Sequence, residues 1–334
     1  DTRICSIGED IDEKQILFYN IYYKAICDSK LISDMPPNIA TPGYMNEWVH
    51  MIFDHIDSAI VSSMHPDSNQ FVFTSHFKDA EGHAPEIVKI EYNPGIEVKS
   101  HIVLVGKGVT FDAGGMALKN TEIMQMMKYD KIGAVMTVLA TYIAAAIGLP
   151  VKITALVIFC ENILRNDSIK PGSIYTTENQ LVDINNPDGE GRLLLADCFE
   201  YAKQLNDIDY VIAIATLTGD SYNVFGDVMM PYFSNSADLK GLVEAASEKS
   251  NEKIWMMPID KEFEKYLSTG NPRVIKNYSN SVSKLITSGY FISKFASPYQ
   301  WVYFDMAGIS VKDGHASGRP LLFLVNCLIG LSEL

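Results

Sequence analysis

Residues 186–197 read Asn-Pro-Asp-Gly-Glu-Gly-Arg-Leu-Leu-Leu-Ala-Asp and join a cluster of charges to the start of an apolar run. The charged groups of Asp188, Glu190 and Arg192 occupy alternate positions separated by glycines. In an extended segment alternate side chains point to the same side, so we expect these groups to converge. The apolar residues that follow predict a helix, so the charges lie at a strand-to-helix junction, where open α/β sheets hold ligands. Adjacent carboxylates repel and one arginine cannot neutralise both, so a bound cation explains the cluster better.

A second cluster lies in residues 105–119, which read Val-Gly-Lys-Gly-Val-Thr-Phe-Asp-Ala-Gly-Gly-Met-Ala-Leu-Lys. A phosphate-binding loop is disfavoured, because glycine follows the Gly-Lys pair and the third glycine of a dinucleotide fingerprint is Phe111. The loop does place Lys107, Asp112 and Lys119 just past the end of a buried strand. Solvated surface remains an equally good interpretation of the two lysines. If Lys107 is buried beside cations, its pKa must fall by roughly 3 units from about 10.4 before it can act as a ligand.

Asp130 is a further unusual charge, because it lies in a mostly apolar run that predicts a helix over residues 124–146. Aspartate on an apolar helical face is rarely buried without a partner. Met127 shares that face at a spacing of i, i+3. The methionines around it are more typical of a core than of a binding surface.

The composition narrows the class of protein. The 334 residues are 47% hydrophobic with a net charge of −14, which argues against general nucleic-acid binding and against an anionic membrane surface. No apolar run reaches transmembrane length and no secretory signal is present. Five widely spaced cysteines without a Cys-x-x-Cys pair favour free thiols in a reducing compartment, so we expect a cytoplasmic protein. Because the chain opens on Asp1, we expect it to be a piece of a longer protein, whose targeting segments would not be visible here.

Hydrophobic periodicity predicts the order of elements. Helices are predicted at 11–32, 41–56, 121–147, from near 192, and at 237–247, 261–267, 283–295 and 320–331. Strands are predicted at 71–77, 86–92, 102–105, 153–159, 181–184, 210–215 and 301–304, with a polar loop at 62–70. Strands that alternate with helices indicate an α/β fold with a mixed, mostly parallel central sheet and helices on both faces. No repeat, low-complexity tract or clean linker divides the chain.

Taken together, the charged segments resemble the leucyl aminopeptidase family of di-zinc exopeptidases, whose site is built from a VGKG-TFD-SGG-LK loop, an Asp on the next helix and an NTDAEGRL segment. The matching stretches are residues 105–108, 110–115, 118–119, Asp130 and 186–193. Shorter similar stretches lie at 160–162, 170–172, 214–219, 305–308 and 318–320. The resemblance runs from about Pro36 to the C-terminus and implies a three-layer zinc-exopeptidase sandwich. It assigns residues 34–334 to the metallo-aminopeptidase catalytic domain and 1–33 to a helix connecting from an N-terminal domain that this chain lacks.

The resemblance also implies a ligand set for two divalent metal ions. One ion would be held by Asp112, Asp188 and Glu190, and a more exchangeable one by Lys107, Asp112, Asp130 and Glu190. Zinc is expected, with manganese, cobalt or magnesium as alternatives at the exchangeable site, because oxygen-rich ligation alone does not select among them. Two such cations can share and activate a water and polarise the scissile carbonyl.

The remaining roles follow from the same resemblance. Arg192 would hold a bicarbonate or carbonate ion that serves as general base, and Lys119 would stabilise the tetrahedral oxyanion. Met127 and Ala316 match positions that line the pocket for the first side chain. The peptide backbone would be held by Thr216, Leu217 and Gly219.

The function implied is a metal-dependent aminopeptidase of peptide catabolism that releases neutral, leucine-like N-terminal residues from short peptides, as a homohexamer with its sites facing an interior cavity. The chain departs from the family pattern at a few positions. Ala113 replaces a serine, Pro187 replaces Thr and Gly189 replaces Ala. Lys131 and Ile132 replace a Met and the small residue that follows it. None removes a ligand. The alternatives are a weakly active or inactive member that acts as a scaffold or regulator, and a two-metal phosphatase, for which only Arg192 is suitably placed as a phosphate clamp.

Overall fold

The computed structural model describes residues 12–67, 69–77, 83–178 and 180–333. The helices are α1 Glu13–Asp34, α2 Pro42–Phe53, α3 Thr121–Met124, α4 Ile132–Ala146, α5 Glu190–Ala202, α6 Gly219–Phe225, α7 Ala237–Ser250, α8 Glu264–Leu267, α9 Lys284–Ala296 and α10 Leu321–Glu333. The strands are β1 Ala59–Met64, β2 Glu86–Tyr92, β3 His101–Asp112, β4 Lys152–Asn162, β5 Ser173–Thr176, β6 Leu181–Ile184, β7 Tyr210–Ala215, β8 Met230–Ser234, β9 Ile254–Met256, β10 Val274–Lys276, β11 Gln300–Asp305, β12 Val311–Lys312 and β13 His315–Ala316.

The central sheet has eight strands in the order β1-β2-β4-β3-β7-β11-β8-β9. Its four middle strands, β4, β3, β7 and β11, run parallel, whereas β1, β2 and β8 pair in antiparallel fashion with their inner neighbours. Buried parallel strands read as continuous apolar runs, as β3 and β4 do. The mixed, mostly parallel sheet predicted from the sequence is confirmed.

Helices cover both faces of this sheet and enclose two apolar cores. One core combines β-strand residues with α1, α2, α4, α7 and α10, and the other lies under α5 and α9. The three layers follow from strands that are apolar on both sides, since each face must be covered. The part of helix α1 nearest its C-terminus contributes Ala25 and Ile32 to the first core. The assignment of residues 1–33 to a separate connecting helix stays a prediction, and residues 1–11 lie outside the described part of the chain.

Several boundaries agree closely with the sequence pattern. Strands 86–92, 181–184 and 210–215 and the Thr41 N-cap of α2, whose hydroxyl accepts from the Tyr44 N–H, are found where predicted. The short strands β5, β8, β9, β10, β12 and β13 and helix α6 were not predicted. None of the helices within the described ranges has the length and apolar character needed to cross a membrane.

The strand predicted at 71–77 is wrong. These residues form an irregular segment with a 3₁₀ turn at Thr74–His76, although Phe71 and Phe73 are fully buried. The backbone N–H groups of Phe73 and Thr74 donate to the buried Asp197 carboxylate at 3.2 and 2.6 Å, so a side chain replaces the neighbouring strand as their partner. The polar loop predicted at 62–70 is wrong at its start, because Ala59–Met64 is an edge strand paired with β2. The serines at 62 and 63 suggested a loop, but an edge strand is partly exposed to solvent and accommodates such polar side chains.

The single helix predicted at 121–147 is interrupted. After α3 the chain forms a 3₁₀ segment, Gln125–Lys131, before α4 begins at Ile132. The cause is tertiary: the Lys131 ammonium donates to the carbonyl of Lys128 at 2.6 Å and to those of Ser33 and Met35 at 3.0 and 3.2 Å. Asp130 therefore lies on a tight 3₁₀ turn and not within an α-helix.

Candidate metal centre

The site lies where parallel strands end. The prediction that Lys107 and Asp112 lie just past a strand at 102–105 is wrong, because β3 continues to Asp112 and contains both. Asn162 ends β4 and Asp305 ends β11. The carboxyl ends of parallel strands meet at one edge of the sheet, which is where α/β proteins place their sites. The start of α5 and the 3₁₀ segment before α4 bring further charged side chains to this edge. These side chains, with Lys107 and Asp112, line one cavity of about 390 Å³.

Three carboxylates form the centre of the cluster. Asp112, Asp130 and Glu190 are buried, and each offers an oxygen within 4.8 Å of the others. The Lys107 Nζ lies 2.7 Å from Asp130 Oδ2 and 2.9 Å from Glu190 Oε1. The Lys119 Nζ lies 2.7 Å from Asp112 Oδ2 and also contacts the Asp188 carboxylate. All five predicted ligands, with Lys119 and Arg192, therefore line the same cavity.

Convergence at residues 188–192 has a different origin from the one predicted. The segment is not extended, because Pro187–Gly189 forms a 3₁₀ turn and α5 begins at Glu190. The Glu190 carboxylate reaches Lys107, whereas the Arg192 Nη1 donates to the Asn277 carbonyl at 2.7 Å. Gly191 is required between them, since a Cβ there would lie 2.6–2.7 Å from the Lys107 side chain. The backbone bend predicted at Gly114-Gly115 is present, with φ values of +91° and +57°.

Asn162 is a site residue to which sequence reasoning assigned no role. Its Nδ2 donates to Asp112 Oδ1 at 2.9 Å, to the Pro187 carbonyl at 3.1 Å and to Glu190 Oε2 at 3.3 Å. It therefore fixes the carboxylates of two segments that are distant in sequence. The available signal was a polar residue at the end of an apolar strand, directly after Cys160-Glu161.

Burial and mutual charge separate the pKa values of the carboxyl groups. Burial, with the nearby charges of Glu190 and Asp130, raises the pKa of Asp112 to about 8. Burial raises the pKa of Asp130 to about 6 although Lys107 opposes it. For Glu190 burial is outweighed by Lys107 and Lys119, which lower its pKa to about 2. The cluster therefore holds one firmly ionised carboxylate beside two that retain protons more readily.

The protein's own groups do not produce the fall in pKa predicted for Lys107. Burial lowers its pKa, but the carboxylates of Asp130, Glu190 and Asp112 outweigh burial and hold it well above the usual range. The lysine becomes a neutral ligand only when other positive charge competes for those carboxylates.

Among the described residues of the cluster, one buried donor lacks a hydrogen-bond partner. Arg192 Nε is buried without an acceptor, whereas Asp130 Oδ2 is ion-paired with Lys107 Nζ at 2.7 Å. A buried donor left in this way marks a position for a group that the protein does not supply. Four carboxylates with hard oxygen atoms suit a divalent cation, and the free Arg192 Nε suits an anion.

The cavity has an apolar wall, most of which comes from the segment that carries Asp130. It is formed by Ile123, Met126, Met127, Tyr129 and Val311. The Thr216 hydroxyl donates to Asp130 Oδ1 at 2.8 Å, and the loop from Thr216 to Gly219 lines the cavity. Ala316 is not among the lining residues. It is buried on β13 opposite Val311 of β12, and its N–H donates to Asp34 Oδ1 at 2.9 Å.

An α/β sandwich with carboxylates and lysines clustered at the carboxyl edge of its parallel strands can hold divalent cations at that edge. A sequence model of the cytosol aminopeptidase family, catalytic domain, matches residues 29–325. The chain belongs to the cytosol aminopeptidase family, which confirms the resemblance drawn from its sequence.

Individual relatives agree with this membership. The chain is 33% identical over 304 residues to a probable cytosol aminopeptidase of Legionella pneumophila (strain Corby), covering 89% of this chain and 62% of the relative. It is 34% identical over 313 residues to a probable cytosol aminopeptidase of Vibrio parahaemolyticus, covering 91% and 62%. The chain thus spans about three fifths of the length of these curated relatives.

A solved structure shows the same fold. The bottromycin maturation enzyme BotP in complex with Mn matches with a TM-score of 0.89 at 22% identity, over 97% of this chain and 73% of that one. At this identity the match supports the three-layer architecture and the order of its elements.

Proposed function

We propose that this protein is a metal-dependent aminopeptidase that releases neutral, leucine-like residues from the N-termini of short peptides. The observation that carries the proposal is the cluster of Asp112, Asp130, Asp188 and Glu190 with two lysines, in one cavity that also has an apolar wall. Charge for the reaction and an apolar surface for the first side chain then lie side by side. Membership of the family and the names of the relatives support this activity.

Two divalent metal ions would occupy the cluster. Asp112, Asp188 and Glu190 would hold one, and Lys107, Asp112, Asp130 and Glu190 the more exchangeable other. Bound there, such ions supply an activated water and polarise the scissile carbonyl. Zinc is our first choice, with manganese, cobalt or magnesium as alternatives at the exchangeable site; manganese is the metal named with the solved BotP structure.

Arg192 and Lys119 would act on the reacting groups. The Arg192 Nε is buried and lacks an acceptor, so it can hold a bicarbonate or carbonate ion that takes a proton as general base. Lys119 lies against Asp112 and Asp188, and its ammonium can stabilise negative charge that develops on the carbonyl oxygen. Burial lowers the pKa of Lys119, but the carboxylates, Asp112 first, raise it above the usual range, so it stays charged.

Substrate recognition would be divided between an apolar and a polar surface. Met127, with Ile123 and Val311 on the same wall, would receive the first side chain. The segment Thr216 to Gly219 would hold the peptide backbone, since Asp305 fixes it by accepting from the Leu217 N–H at 3.2 Å and the Thr218 hydroxyl at 2.7 Å. Ala316 would act indirectly, by supporting the strand that presents Val311.

We further propose that the protein works in the cytoplasm and assembles as a homohexamer. The relatives are named cytosol aminopeptidases, and the hexamer follows from the resemblance to the leucyl aminopeptidases. Sites that face an interior cavity would restrict substrates to short peptides.

The test is hydrolysis of leucyl amide by metal-stripped protein titrated with Zn²⁺, Mn²⁺ and Co²⁺. We expect activity to return with metal and to fall by at least 100-fold in Asp188→Ala and Lys119→Ala. Lys240→Ala, at an exposed position on α7, is the matched control and should retain activity. A fully metallated wild type that ignores every N-terminal residue would overturn the proposal, and a phosphate ester tested in parallel would reveal a phosphatase.

A further inference from the structure

A second part of the cavity lining, next to Arg192, is polar and cationic. Asp188 lies in the 3₁₀ turn just before α5 and Arg192 in the first turn of α5, and the Arg192 guanidinium lies 5.4 Å from the centre of the Tyr278 ring. The Lys284 Nζ lies 5.6 Å from the same ring, and both Tyr278 and Lys284 line the cavity. Tyr278 therefore contacts both the buried Arg192 and the exposed Lys284.

Local structure does not explain the lysine. Lys284 is the first residue of α9, where the helix dipole disfavours a positive side chain. The nearest acid, Asp220, caps that helix end: its Oδ2 accepts from the Lys284 backbone N–H at 2.6 Å and from the Ser283 hydroxyl at 3.0 Å. Among the described residues the Lys284 ammonium forms no ion pair within 4.0 Å.

The charge of this ammonium acts on the cavity. The contact with Tyr278 raises the pKa of Lys284, partial burial opposes the rise, and the carboxylates of Asp220 and Asp188 add to it. Lys284 is therefore protonated at neutral pH and lies close enough to Asp188 to interact with it. Arg192 is committed to the proposed general base, so Lys284 is the cation in this part of the lining without an assigned role.

We propose that Lys284, beside Tyr278, forms a subsite for a carboxylate carried by the residue that follows the scissile bond. The inference rests on the proposed aminopeptidase function, which places the first side chain on the wall beside Asp130 and the bond over the carboxylate cluster. The next residue then extends toward Asp188 and Tyr278, and one residue spans about 3.5 Å. Two sources carry the carboxylate: an Asp or Glu side chain, or the C-terminus of a dipeptide.

The experiment compares four substrates with metal-loaded protein. Leu-Glu-amide against Leu-Gln-amide isolates a side-chain carboxylate, and Leu-Gly against Leu-Gly-amide isolates a C-terminal one. For at least one pair we expect kcat/KM of the wild type to favour the carboxylate by about 2- to 5-fold, the range of a partly exposed charge pair. The preference should vanish in Lys284→Gln and reverse in Lys284→Glu.

Lys265→Gln is the matched control. The Lys265 Nζ lies 5.2 Å from the centre of the Tyr266 ring, and Lys265 does not line the cavity. The substitution therefore removes a lysine charge from a lysine–tyrosine contact of the same kind. The control should keep the wild-type preference. Equal kcat/KM within both pairs for the wild type, or a preference that persists in Lys284→Gln, would overturn the subsite.

A binding measurement separates this inference from the proposed function. Reduced-amide analogues of Leu-Glu-amide, Leu-Gln-amide, Leu-Gly and Leu-Gly-amide cannot be hydrolysed, so their dissociation constants can be measured by calorimetry whether or not the protein turns over. A carboxylate preference of about 2- to 5-fold in binding that Lys284→Gln removes supports the subsite, even if no peptide is cleaved. If the analogues show this binding preference but no peptide is cleaved, the aminopeptidase proposal is wrong and the subsite stands. If peptides are cleaved but neither binding nor turnover depends on the carboxylate, the subsite is wrong and the aminopeptidase proposal stands.

Discussion

Lys131 shows how one residue can change the local structure beside a functional group. Its side chain is fully buried, and its ammonium donates to three carbonyl groups, two of them at the C-terminal end of α1. The last carbonyls of a helix have no partner within the helix, so a lysine can cap them. The contact joins α1 to the turn that carries Asp130. Lys131 is also the position that the sequence comparison identified as a departure from a Met in the family pattern.

We expect Lys131→Met to destabilise the protein by about 2–4 kcal/mol, because one buried and two partly buried carbonyls lose their donor. Chemical unfolding measures the change. Lys128→Met is the control: among the described residues its half-buried ammonium donates to one carbonyl, that of Asp34 at 3.1 Å, and lies 4.8 Å from the Tyr129 ring, so its cost should be smaller. Equal stability of Lys131→Met and the wild type would show that water replaces the ammonium at no cost.

The sequence indicated which individual residues belong to the site, but it said less about which groups those residues contact. Asp112, Asp130, Asp188 and Glu190 were all selected from their charge and neighbours, and they meet. Asn162 received no role, because an amide at a strand end has no local pattern that reports its three acceptors.

Helix α4 lies unusually close to the sheet. A Cβ added to Gly133 would lie 2.6 Å from the Ile214 carbonyl oxygen and 3.0 Å from that of Lys107. Gly106 of β3 faces the same helix, with Ala134 Cα 2.7 Å from an added Cβ. These two glycines allow backbone-to-backbone packing under the strand that carries Lys107 and Asp112.

We expect Gly133→Ala to cost at least about 3 kcal/mol, since the obstructing atoms are backbone and the helix must move away from β3 and β7. Gly241→Ala is the control, because nothing lies within 4 Å of a Cβ at this position of α7 and alanine favours a helix. It should stabilise the protein by about 0.5–1 kcal/mol. Thermal unfolding of both variants tests the contrast, and similar shifts would contradict the packing argument.

Whole elements were predicted where the pattern is local and missed where tertiary contacts decide. The strands at 86–92 and 210–215 were correct because their apolar periodicity is continuous. Residues 71–77 carry a similar pattern but lie across α5, and the Asp197 carboxylate satisfies their backbone.

The metal cluster unites distant parts of the molecule. Asp112 ends β3, Asp130 precedes α4 and Glu190 begins α5, on both sides of the central sheet edge. The three carboxylates meet only in the folded chain, so a cation that binds all of them stabilises only the native state.

We therefore expect metal ions to raise the free energy of unfolding of the whole molecule. At a metal concentration of 100 times Kd the gain should be about 2.7 kcal/mol, visible as a rise of several degrees in Tm. Asp112→Asn should lose this gain, whereas Asp54→Asn, at an exposed position after α2, should keep it. The same response to metal in wild type and Asp112→Asn would place the ions elsewhere.

By itself the sequence determined the α/β class, the family and the identity of the charged cluster, because periodicity and short motifs are properties of neighbouring residues. Only the tertiary structure decided that residues 188–192 converge through a 3₁₀ turn, that Lys131 caps α1 and that Lys284 faces the cavity from beside Tyr278. Each of these depends on contacts between segments far apart in the chain, such as Lys131 with Ser33 and Arg192 with Asn277. Local patterns cannot report such contacts, since burial and hydrogen bonding arise only once the layers have packed.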